Sequence, residues 1–128
     1  MDTEQKLRKN CQKVREILQI PVVDGDRDGI IGKLNDLVQI SGLTSNNVAA
    51  SKALYRQAQL TVIEGLWDVK TPLPASTLNE YIKAKTGNLE SLYELCDRQD
   101  KRVSYAIDAM RTMISLYKEE LSNSEKEI

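Results

Sequence analysis

The chain contains no histidine and no phenylalanine, and only one tryptophan, two cysteines and three prolines among its 128 residues. Each shortage excludes something. Without histidine there is no Ser-His-Asp or Cys-His machinery, no common general base, and none of the usual zinc or iron sites. Two isolated cysteines, Cys11 and Cys96, cannot build a Cys-based metal cluster within one chain. Both fall on apolar stripes, so they read as buried thiols in a reducing compartment rather than as a disulfide. Catalysis would have to rest on carboxylates, Lys or Tyr, and no carboxylate pair stands isolated in an apolar setting. Phosphate-cradling loops of the Walker or dinucleotide type are missing too. The chain is therefore expected to be non-enzymatic. No apolar run approaches eighteen residues and no signal peptide is read before the first helix, so no membrane span and a cytoplasmic location are expected.

What is present is balanced charge. The formal net charge of −1 supplies no global field for DNA, RNA or an anionic membrane, so any nucleic-acid contact needs a local basic patch. An apolar fraction of 41% beside 29% charged residues suits a helical protein with wide solvated faces. Lacking Phe, its core must be aliphatic, with Met and Tyr filling gaps. The length is enough for one domain with a single core.

Apolar spacing predicts an all-α fold of about five helices in one domain over residues 1–121, with a disordered polar tail at 122–128. The first covers about Thr3 to Leu18, with Leu7, Cys11, Val14 and Leu18 inward and Pro21 as its stop. A second runs from about Gly29 to Ile40 and ends at Gly42, a natural C-terminal glycine. The third begins at Ser45, a candidate cap, and reaches about Leu66. A loop with two prolines follows, in which Trp67 either closes the core or offers a stacking surface. Thr77 and Glu80 read as a capping box for a short fourth helix ending at Gly87. Asn88 then caps a long, coiled-coil-like fifth helix. Its heptad stripe passes through Leu89, Cys96, Val103, Met110 and Tyr117. At 1.5 Å per residue this helix alone is about 50 Å long. A compact chain of this size would be about 35 Å across. An uncovered apolar stripe seeks a partner. Met110, Met113, Ile114, Tyr117 and Leu121 are accordingly expected in a homo-oligomer interface.

Two local patterns could carry ligands. Asp24, Asp26 and Asp28, followed by Gly29 and Ile31, match the front half of an EF-hand loop and make calcium a candidate cofactor. The twelfth position, however, holds Asn35 instead of a bidentate Glu. Three aspartates at a helix start also serve simply as cap and dipole partners. The second pattern is basic: Lys6, Arg8, Lys9, Lys13 and Arg15 on the first helix, and Arg98, Lys101 and Arg102 on the long one. Either group could track phosphates, with Lys9 and Lys13 as candidates. Interleaved Glu4, Glu16, Asp97 and Asp100 favour a salt-bridged surface instead.

From Leu43 to Leu121 the layout resembles small phage-encoded helical proteins. A helix opens on Leu43-Thr44-Ser45-Asn46-Asn47-Val48, and a long one carries Lys101-Arg102, Tyr105, Ile107, Met110 and Arg111. This is similar in outline to the recombination mediator family of T4-type phages. The resemblance implies a ring-like oligomer that binds single-stranded DNA and helps load a recombinase, with Arg102, Tyr105 and Arg111 at the DNA. It implies a recombinase or single-strand-binding protein as partner, and the host cytoplasm as location. The competing expectation is a phage-encoded helical inhibitor or sponge acting on a host defence system, or a structural adaptor, which needs a shaped surface but no basic track.

Overall fold

The computed structural model describes residues 1–67 and 73–126 and contains three helices: α1 (Thr3–Leu18), α2 (Arg27–Leu66) and α3 (Ala75–Lys126). The expectation of about five helices is thus corrected to three. The all-α character and the long C-terminal helix stand. The second and third expected helices are one 40-residue α2, and the fourth and fifth are one 52-residue α3. Gly42 and Gly87 were expected to end helices, but both lie inside them with negative φ; the one positive-φ glycine is Gly25. A glycine stops a helix by turning left-handed, and it costs only about 1 kcal/mol when it stays helical. Burial beside each glycine, of Ile40 and Thr44 around Gly42 and of Thr86 and Leu92 around Gly87, outweighs that cost. Ser45 and Asn88 are interior helical residues for the same reason. α3 also starts two residues before Thr77, where the Pro74 carbonyl accepts the Leu78 N–H. Residues 122–126 continue α3; the rest of the expected tail, and residues 68–72 of the expected loop, lie outside the described residues.

α1 forms where the sequence places it. Asp2 accepts from the Gln5 N–H, and Gln5 Oε1 accepts from the Asp2 N–H, closing a capping box. At the other end, Lys33 Nζ donates to the Leu18 and Ile20 carbonyls at 3.2 and 2.6 Å. That places a cation at the negative end of the helix dipole and ties α1 to α2. Asp26 caps α2 by accepting from the Gly29 N–H.

α2 and α3 run antiparallel as a long hairpin, and α1 lies across both. Val14 packs with Ile30, Leu37, Ile40, Val103, Ile107 and Met110 in the main core. Leu7 and Cys11 pack with Leu92 and Cys96 in a second cluster. Buried polar side chains accompany these clusters. Thr44 Oγ1 donates to Asp100 Oδ1 at 2.7 Å, Asn10 Nδ2 donates to Asn47 Oδ1 at 3.3 Å, and Gln99 Nε2 donates to the Cys11 carbonyl at 2.9 Å. By length, α1 is about 24 Å against about 60 Å for α2 and about 78 Å for α3. The middle of the molecule is therefore a three-helix bundle, while the hairpin tip has only two helices.

Candidate anion groove between α1 and α3

Where α1 crosses α3, the two helices leave a groove. Its walls are Arg15 and Gln19 on one side and Leu95, Arg98 and Arg102 on the other, with Gln99 between them. It continues past Cys11 to Arg8 and Gln12. No carboxylate lines either stretch. Among the described residues the ion pairs are Arg8–Glu4 and Lys101–Asp97, both at 2.9 Å. Arg15, Arg98 and Arg102 thus have no anionic partner there. In a chain of net charge −1, the groove concentrates cations that the sequence as a whole does not.

Helical spacing explains the clustering. Arg98, Arg102 and Tyr105 stand at i, i+4 and i+7 and share a stripe of α3; Arg8, Gln12, Arg15 and Gln19 do the same on α1. The acidic residues that seemed to neutralise α3 point elsewhere. Asp97 pairs with Lys101, and Asp100 accepts from Thr44 on α2. Tyr105 is 71% exposed, one turn beyond Arg102, and offers a ring face to a flat ligand. Gln99 is 5% exposed, and its Oε1 has no hydrogen-bond partner. A buried amide acceptor left open is unusual and costly.

The groove gathers only part of the expected nucleic-acid set. Arg102 lines it and Tyr105 lies beside it. Lys9 and Lys13 are exposed on α1 but are not among its lining residues. Arg111, nine residues after Arg102, is half a turn out of phase and exposed on the far side of α3. Arg15 and Arg98, expected only as members of two separate basic groups, enter the site together with Gln99, which no sequence pattern marked. The i, i+4, i+7 stripe was the available signal, masked by the alternating aspartates.

The other expected sites are placed as follows. Met110 is buried in the chain's own core, and Met113, Ile114 and Tyr117 pack against it half-buried. Leu121 is 48% exposed and Leu116 is 52% exposed. Asp24 Oδ1 accepts from the Tyr117 hydroxyl at 3.0 Å, Asp26 caps α2, and Asp28 lies in the first turn of α2. Among the described residues no three Asp, Glu or Cys side chains gather into a metal-capable group. Trp67, 76% exposed at the end of α2, does not close the core. No described helix is long and apolar enough to cross a membrane.

Cys11 and Cys96 are free, buried thiols whose sulfurs lie 3.5 Å apart. Their shared hydrogen bond lets one proton leave early, bringing Cys96 down to about 7, with burial opposing and the Ser51 hydroxyl assisting. The same bond, together with burial, pushes Cys11 far up from its ordinary value. Comparison with protein-family models, with curated proteins and with solved structures finds no match.

Proposed function

We propose that the chain is a non-enzymatic accessory protein that holds the phosphate backbone of single-stranded DNA in the α1–α3 groove. It would act in phage-type recombination or replication, as a homo-oligomer beside a recombinase or single-strand-binding protein. One observation carries the reading: Arg15, Arg98 and Arg102 line one groove without an ion-pair partner or a lining carboxylate among the described residues. Arginine suits such a track because its planar fork meets phosphate oxygens in pairs. Tyr105 supplies the stacking face that lets such proteins hold any base. An oligomer would multiply this short track, since several modest sites on one assembly bind by avidity.

Fluorescence anisotropy of a labelled oligonucleotide at ~50 mM salt tests the reading. Micromolar protein should bind, and affinity should fall steeply with added salt as counterions return. Replacing both Arg98 and Arg102 by Ala should lower the log–log salt slope by about 0.7 per lost contact. Replacing Lys9 and Lys13 should leave the slope nearly unchanged. No anisotropy change with the native chain would end this reading.

The open acceptor of Gln99 favours a second reading. A sponge for a small phosphorylated nucleotide would place its phosphates on the arginines and, with the Gln99 amide turned outward from its buried position, an N–H of its base on Gln99 Oε1. A short nucleotide that binds tightly and is not displaced by long single strands would select it.

A further inference from the structure

We propose that Cys11 and Cys96 form a reversible intramolecular disulfide that staples α1 to α3, using a small-molecule disulfide, oxidised glutathione in class, as oxidant. This proposal does not depend on what the groove binds.

The geometry supplies the reason. The two sulfurs lie 3.5 Å apart, on helices whose residues are 85 positions apart in the chain. A disulfide bond is about 2.05 Å long, so the sulfurs must close by about 1.5 Å. Side-chain rotation and a small slide of α1 can supply this. α1 is the element best able to slide, being the shortest and joined to the hairpin through residues 19–26. Among the described residues neither thiol belongs to a group of metal-capable side chains, and both are free. A lone buried cysteine is inert packing; two in sulfur–sulfur contact across an element boundary are a preassembled redox couple.

Access is one-sided. Both thiols are buried, Cys96 at 1% and Cys11 at 4%, and of the two it is Cys11 that borders the arginine groove, with Arg8, Arg15 and Gln99. Either sulfur can be the donor of the shared hydrogen bond, so once Cys96 has lost its proton the one that remains can pass from Cys11 to Cys96, and in that minor form Cys11 is the nucleophile. In the first step the Cys11 thiolate attacks one sulfur of oxidised glutathione, and one glutathione thiolate leaves. In the second, the Cys96 thiol gives up its proton and its sulfur attacks Cys11 Sγ, expelling the second glutathione thiolate. Two protein thiols lose two protons and two electrons; one oxidised glutathione becomes two reduced molecules. The carboxylates of glutathione would meet Arg15 on entry, which favours approach from this side.

The test uses the whole native chain with millimolar oxidised glutathione at about pH 8, near the ordinary thiol pKa. Thiols are then counted in denaturant, and the mass and a peptide map are recorded without reductant. The expected result is loss of both thiols, a mass lower by two hydrogens, and a Cys11–Cys96 peptide in the monomer fraction. Tm should rise by roughly 10 °C and return with reductant, because the cross-link closes a long loop of the unfolded chain. Cys96→Ser should stop at a stable glutathione adduct on Cys11, while Cys11→Ser should gain nothing. Two free thiols after oxidation, a persistent adduct on the native chain, or cross-linked dimers in place of the internal bond would each overturn the proposal.

Discussion

Two cysteines 3.5 Å apart make the clearest residue-scale case, because their shared proton turns pH into a stability variable. Cys96 is lowered to about 7 from an ordinary 9.0. Between those values the unfolded chain binds more protons than the folded one, so stability should climb with pH by about 1.4 kcal/mol per unit. Cys11 is raised above 9.0, so beyond that point the folded chain holds the extra proton and stability should fall again. Urea melts of the reduced chain against a Cys11→Ser/Cys96→Ser chain should show a difference that peaks near pH 9; a flat difference sinks the shared-proton account. Gln99 poses the opposite case, a polar atom buried without a partner. Gln99→Met keeps the volume and removes the orphaned acceptor while giving up one hydrogen bond to Cys11. It should raise stability by about 1 kcal/mol, since leaving a buried group unpaired costs more than the bond gains. A chain weakened by that change would mean the amide is satisfied in solution.

At the scale of elements, the informative residues are Gly42 and Gly87. A methyl group added at either meets nothing within 4 Å, and both are helical. Gly42→Ala and Gly87→Ala should each stabilise the chain by about 0.5–1 kcal/mol in chemical denaturation. Had either glycine capped a helix in the left-handed region, alanine would destabilise. Gly25, at φ 86°, should show that opposite sign. These glycines also mark the limit of what the sequence made legible. α1 could be read to its ends because a one-sided apolar face and a following proline agree; the Asp2–Gln5 capping box that closes its start is visible only in the structure. Leu7, Cys11 and Val14 are buried as that face required. The division of α2 and α3 was misread because local stop signals were weighed without the tertiary contacts that override them. The capping residues Ser45, Thr77 and Asn88 failed for the same reason. Within the groove, Arg102 and Tyr105 were legible as types at a spacing. Arg15 and Arg98 were legible only as members of two separate basic groups, since the packing of α1 on α3 is what brings them into one groove. The thiol contact was hidden similarly: both cysteines read correctly as buried, but no sequence pattern relates positions 85 apart.

On the scale of the whole molecule, the heptad stripe that suggested oligomerisation is partly consumed by the chain's own hairpin, as the burial of Met110 shows. Exposed apolar residues off that core include Leu116 and Leu121 near one end of α3, and Leu60, Trp67 and Tyr81 at the hairpin tip. If the proposed oligomer uses the far end of α3, Leu116→Glu with Leu121→Glu should abolish it in sedimentation while leaving Tm nearly unchanged. If it uses the tip, the emission of Trp67 should shift to the blue as concentration rises. A monomer at tens of micromolar with a water-exposed tryptophan would remove both. The short reach of α1 has a further consequence, visible in time rather than space. Amide protons can exchange with solvent only when a helix opens, and helix turns with fewer buried neighbours open more often. Deuterium should therefore enter α3 from both ends inward, with the amides around Cys96 to Val103 the last to fill. Because α1 alone separates that slow centre from the two-helix tip, breaking its packing with Leu7→Ala should make the centre fill nearly as fast as the ends.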